Sequence, residues 1–151
     1  MTLDQTKDGV AGKAFVTGAA GCVGRELVRQ LLKQGAEIWC LLLPGEEERF
    51  PFAEDCRISV VTGDINNLSP RSVPTGSTIY HLAAKVHVVP QNEQERQSFF
   101  EVNRDGTRHL AEIAVDRQAV GFVFISTIAV YGDALRFSIP NEAAPTNPTS
   151  A

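Results

Sequence analysis

The 151-residue sequence has no apolar run approaching the roughly 20 residues that a membrane-crossing helix needs, which argues against a membrane partner. It also lacks any cluster of basic residues. Lys and Arg number 14 against 18 Asp and Glu, a net charge of −4, so no basic face recommends nucleic acid as a partner. Residues 1–12 (MTLDQTKDGVAG) are polar and lack the apolar core of a signal peptide. A cytoplasmic protein with a flexible tail over 1–12 is therefore expected. Cysteines are few, and Cys22, Cys40 and Cys56 have neither zinc-ligand spacing nor a redox Cys-x-x-Cys arrangement. Reduced thiols and no metal site are expected. No internal repeat is present. Aromatic residues are sparse, with one Trp and two Tyr, yet 43% of residues are apolar, enough for the core of one domain.

What is present is an alternation of strand-like and helix-like segments. Lys13–Thr17 is a short β-rich run closed by Gly18. From Gly21 to Gln34, Val23, Leu27, Val28, Leu31 and Leu32 share one helical face, and Gly35 supplies the stop. Glu37–Leu43 is nearly all apolar, the pattern of a strand buried on both faces. Glu46–Phe52 reads as a loop or short helix. Arg57–Thr62 and Ser77–Leu82 are further strands, separated by an irregular stretch with two prolines. Glu93–Arg117 reads as one long helix, Gly121–Ser126 as a fifth strand, and the sequence from Asn141 as loop. This order predicts an α/β fold: three layers, a doubly wound parallel sheet with helices on both faces, and a ligand crevice where the strand order reverses.

The first strand meets the first helix through Thr17-Gly18-Ala19-Ala20-Gly21-Cys22-Val23-Gly24. Gly18 permits a sharp turn, Gly21 leaves room for a pyrophosphate at the helix N-terminus, and Gly24 permits close packing of the helix on the sheet. Free N–H groups and the positive end of the helix dipole would face the phosphates. A tight turn with incidental glycines is the alternative, but the strand–loop–helix setting supports dinucleotide binding. The following residues are not Gly-Lys-Ser/Thr, which excludes a P-loop.

The Gly-x-x-Gly-x-x-Gly spacing resembles the extended short-chain dehydrogenases/reductases, the NAD-dependent epimerases and dehydratases of nucleotide sugars among them. The resemblance covers roughly residues 13–150 and implies a Rossmann fold over 13–151, with the substrate-binding lobe absent. It assigns cofactor binding to Gly18, Ala20, Gly21, Cys22, Val23 and Gly24. Asp64 and Ile65, after the third strand, would border the adenine; Asp64 alone would serve equally to cap a local turn, but beside the glycine loop the adenine role is favoured. The segment His81-Leu82-Ala83-Ala84 resembles the family's His-x-Ala-Ala, whose backbone lines ribose and pyrophosphate, so Leu82, Ala83 and Ala84 join the set. His81 itself reads as a structural histidine. Lys85 and His87 follow and would face substrate. Asn103, in Val-Asn-x-x-Gly-Thr, would lie on the nicotinamide side. In Ser126-Thr127-Ile128-Ala129-Val130-Tyr131-Gly132, Ser126 would lie beside the nicotinamide. Thr127 would be the catalytic hydroxyl on the substrate's reacting oxygen, and Tyr131 a packing or pocket residue.

The same family pattern places a Tyr-x-x-x-Lys pair about twenty residues after Val-Tyr-Gly, directly beyond Ala151. The resemblance thus implies the cofactor-binding portion of a hydride-transferring nucleotide-sugar epimerase or dehydratase, inactive by itself. An NADPH-consuming carbonyl reductase and a non-catalytic NAD(P) sensor remain alternatives. No carboxylate or arginine ends the second strand. Glu46–Glu48 favour NAD, while Arg25 and Arg49 leave NADP open. A homodimer through the long helix is a further implication.

Overall fold

The computed structural model describes residues 12–86, 90–136 and 139–148. The expected tail, but for Gly12, and His87 lie outside these residues. Five strands form one parallel sheet: β1 (Lys13–Thr17), β2 (Glu37–Leu42), β3 (Ile58–Thr62), β4 (Thr78–His81) and β5 (Gly121–Phe124). Their spatial order is β3-β2-β1-β4-β5, with all neighbours parallel. The chain therefore winds from β1 towards β3, then crosses back to continue from β4. The order reverses between β1 and β4, where Thr17 lies in register with His81.

Helix α1 (Cys22–Lys33) covers one face, and the pair α2 (Glu93–Phe100) and α3 (Gly106–Asp116) continues the chain on the other. Side-chain alternation builds two cores. Ala14, Val16, Ile38, Cys40 and Leu42 pack with Val28 and Leu31 of α1. Phe15, Leu41 and Ile79 pack with Leu110, Ile113 and Ala114 of α3 and with Ile65, Leu68 and Val73. The continuous apolar run of β2 follows from this, because successive residues of that strand enter opposite cores. Each fully buried Leu, Ile or Phe contributes roughly 2 kcal/mol of apolar burial.

The expected three-layer, doubly wound fold is present. The strands are shorter at their C-terminal ends than the apolar runs suggest. Leu43, Leu82, Ile125 and Ser126 leave the sheet and enter the loops beyond it. The single long helix is also modified. Residues Glu101–Asp105 form a π turn between α2 and α3. Gly106 follows it, and a Cβ there would lie 2.6 Å from Ile65 Cγ2, so α3 rests directly on the short 3-10 turn Ile65–Asn67. Further 3-10 segments occupy Glu47–Arg49, Pro70–Ser72 and Ile128–Arg136. No helix among the described residues is long and apolar enough to cross a membrane.

Candidate cofactor crevice and its neighbours

The glycine loop and the loop after β4 meet at the C-terminal edge of the sheet, at the switch between β1 and β4, while Asp64–Ile65 follow β3 and Ser126–Thr127 follow β5. Gly18 leaves β1 with φ +68°, and its N-terminal neighbour Thr17 is fully buried. A Cβ on Gly18 would sit 2.8 Å from Ala83 N and 2.9 Å from the Leu82 carbonyl carbon, so the glycine loop and the loop after β4 touch backbone to backbone. The Gly21 N–H donates to the Gly18 carbonyl at 3.1 Å, closing the turn. A Cβ on Gly24 would meet the Gly18 carbonyl oxygen at 2.1 Å. Gly24 thus lets α1 pass under its own loop; the sequence had suggested close packing on the sheet.

Helix α1 begins without a side-chain cap, and its first turn carries no acidic residue. Gly21, Cys22 and Val23 are exposed at this end, while Gly24 is buried and Ala20 half-buried. The N-terminal N–H groups of a helix have no intrahelical acceptor and lie at the positive end of its dipole. This end therefore fits an anionic group that approaches closely.

The neighbouring segments are more committed. Leu82 and Ala83 are half-buried and Ala84 exposed. The Leu82 and Ala83 N–H groups donate to the Thr17 hydroxyl at 3.2 and 3.1 Å. Asp64 caps its own turn: Oδ1 accepts from Asn66 N at 2.7 Å and from Asn66 Nδ2 at 3.1 Å, and the residue is exposed. The side chain of Ile65 is buried in the α3-side core. Asn103 lies in the π turn, and its amide grips one residue, accepting from Lys85 N at 2.7 Å and donating to Lys85 O at 2.9 Å. Lys85 Nζ donates to Ser98 Oγ at 2.6 Å and lies 5.3 Å from the Phe99 ring centroid. Ser126 and Thr127 follow β5 on the same edge, both exposed. The Thr127 hydroxyl accepts from Ala129 N at 3.2 Å.

At the end of β2, two carboxylates fold back on the chain. Glu46 Oε2 accepts from Leu43 N at 2.8 Å. Glu47 accepts from Gly45 N at 2.7 Å and from the Thr62 hydroxyl at 2.6 Å. The Thr62 bond is the chief cause that holds the Glu47 carboxyl below the usual carboxylate range. The cysteines are unpaired; burial pushes the Cys40 thiol up to about 12, while Cys22 and Cys56 are exposed.

Two threonines escaped assignment from the sequence. Thr17 Oγ1 lies 2.7 Å from His81 Nδ1, and His81 Nε2 lies 2.8 Å from Thr107 Oγ1. Thr107 in turn donates to the Asn103 carbonyl at 2.6 Å. His81 is 1% exposed, and burial pushes its imidazole down to about 4. Its partners stand 64 and 26 residues away in sequence, which is why no local pattern marks them.

A family model described as the NAD dependent epimerase/dehydratase family matches residues 14–151. The chain belongs to that family. Among the curated relatives of this family member, the UDP-glucose 4-epimerase of Vibrio cholerae is 32% identical over 129 residues, 83% of this chain and 38% of that one. The ceramide reductase of Caulobacter vibrioides is 33% identical over 125 residues, covering 78% and 35%. Among solved structures, MoeE5 in complex with UDP-glucose and NAD superposes with a TM-score of 0.76 at 27% identity, covering 92% of this chain and 44% of that one. The chain thus spans well under half the length of these proteins.

Proposed function

We propose that residues 13–151 are the NAD-binding portion of an oxidoreductase that acts on a nucleotide sugar, in the manner of an epimerase or dehydratase. The observation that carries this reading is the uncapped, carboxylate-free start of α1, set against Leu82–Ala83 at the strand-order switch. The backbone N–H groups of Cys22, Val23 and Gly24 would hold the pyrophosphate, with Gly18, Ala20 and Gly21 leaving it room. Asp64 keeps Oδ2 for the adenine amino group while Oδ1 caps its turn, and the Ile65 backbone would complete that contact. Leu82, Ala83 and Ala84 would floor the crevice. Ser126 would sit beside the nicotinamide, and the Thr127 hydroxyl would bind the substrate oxygen whose carbon is oxidised or reduced. NAD, when bound, supplies a ring that accepts and returns a hydride. Asn103 would act on this site through Lys85, whose backbone it holds.

The acidic side chains of Glu46 and Glu47 after β2 would repel a 2′-phosphate, which supports NAD over NADP. Neither Tyr80 nor Tyr131 is followed by a lysine four residues on. The 151 residues should therefore bind cofactor without turnover. Equilibrium titration with both nucleotides tests the reading: the chain should bind NAD more tightly than NADP, and a folded chain that binds neither overturns it. In the longer protein, Thr127→Val should lower kcat with little change in NAD affinity.

A second reading, a carbonyl reductase, is supported by the 33% identity to ceramide reductase. Cofactor that stays bound through purification separates the two, because an epimerase regenerates its own NAD. The proposed homodimer has support in α3, where Val115 is 81% exposed. Sedimentation that shows no dimer at any concentration would remove it.

A further inference from the structure

The proton inventory of the buried threonine–histidine chain fixes its direction. The Thr17 hydroxyl accepts from Ala83 N and from Leu82 N, the latter N–H shared with the Thr17 carbonyl at 3.3 Å, so its lone pairs are engaged. Its single proton is left for His81 Nδ1, 2.7 Å away. Nδ1 is therefore bare, and the ring proton resides on Nε2, which donates to Thr107 Oγ1 at 2.8 Å. Thr107 passes its own proton to the Asn103 carbonyl. Every member then has its donors and acceptors matched, and none can be reversed alone.

Both ends of this chain grip the same short segment. At one end Thr17 holds the N–H groups of Leu82 and Ala83. At the other, Thr107 holds the π turn from which the Asn103 amide clamps both backbone atoms of Lys85. The first two residues of this segment, Leu82 and Ala83, pack against Gly18, with Ala83 N at 2.8 Å from the position of a Cβ on that glycine. Phe122 and Phe124 of β5 close over the imidazole with ring centroids at 6.2 and 5.4 Å.

We propose that His81 is a positioning residue: as a neutral Nε2–H imidazole it holds Thr17 and Thr107 at fixed separation, and thereby sets the conformation of Leu82–Lys85 under the cofactor crevice. The effect on cofactor rests on the NAD-binding reading above; the tautomer and the loop order do not. His81 touches no reacting atom. It acts by satisfying two hydroxyls whose other bonds fix the floor of the site.

The test uses the chain with Thr107→Val, which deletes the acceptor and the tether to Asn103, and Thr107→Ser, which keeps both. NAD affinity should fall about tenfold in the valine variant, the loss expected when a buried donor is left unpaired, and should return in the serine variant. Amide exchange at Leu82–Lys85 should accelerate in the valine variant while α1 and β2 keep their protection. Ring 15N shifts of the unaltered chain at neutral pH should show the Nε2–H tautomer. Valine-variant binding and exchange equal to the parent would overturn the proposal, and so would an Nδ1–H ring. Should the unaltered chain bind no NAD, the NAD reading fails, while tautomer and exchange still decide the role of His81.

Discussion

Gly24 has no room for a methyl group, because a Cβ there would fall 2.1 Å from the Gly18 carbonyl oxygen and 2.8 Å from the Ala19 Cα. Both obstacles are backbone, so neither can rotate away. Gly24→Ala should cost about 2 kcal/mol of stability, in the range of overpacked sites, and distort the loop that α1 underlies. Denaturant unfolding of the parent and the variant measures it. His81 sets a second prediction at this scale. Its ordinary value is 6.5 and burial alone pushes it down to about 4, with no charged group contributing. The unfolded chain thus binds more protons than the folded one between those limits. Stability is fully present above pH 6.5 and is lost as pH falls towards 4, by up to roughly 3 kcal/mol. Carboxylates titrate near the lower end, so the informative quantity is the difference between the parent and His81→Phe. The variant should lack the slope between pH 6.5 and 4.5, as read by equilibrium unfolding at several pH values.

Among the elements, the strands and α1 could be read from apolar pattern and glycine punctuation, because two packed faces impose those patterns locally. The π turn could not. Its extra residue leaves the apolar period of Glu93–Arg117 almost unchanged, and its cause lies elsewhere: the Asn103 amide reaches to Lys85 and Gly106 rests on Ile65. Thr17 and Thr107 stand within their motifs without a legible role, since hydroxyls reveal themselves only through partners distant in sequence. For Asp64 the neighbouring glycine loop favours an adenine contact over a turn cap; Oδ1 caps the turn, and Oδ2 makes no bond among the described residues. Gly106→Ala tests the element-level packing. The added Cβ would press on Ile65 Cγ2, a core side chain with little freedom, so a loss of about 1–3 kcal/mol is expected together with faster exchange in the Ile65–Asn67 turn. A loss within 0.3 kcal/mol of zero would show that α3 can lift away freely.

At the scale of the molecule, β3 and β5 are the two edges of the sheet, and β5 is the more exposed. β3 is the far edge beyond β2. At the opposite edge Phe122, Val123 and Phe124 of β5, with Ile125 after it, are each 37–52% exposed on both faces. Strands of parallel sheets are normally covered on both sides, so this edge marks where the chain's own core is thinnest. The cofactor crevice does not depend on that edge for its phosphate end, which is built from β1, α1 and the loop after β4. The account therefore stands on whether that end alone binds NAD. The most direct measurement is calorimetric titration of NAD into the chain and into Gly21→Val. Gly21 is exposed, and among the described residues a Cβ there would meet only the Gly18 carbonyl oxygen, at 3.2 Å. The fold should survive the change while the approach of a pyrophosphate is blocked. Saturable NAD binding by the parent, lost or weakened at least tenfold in a folded variant, is the predicted result. Equal binding by both, or none by the folded parent, would contradict the account.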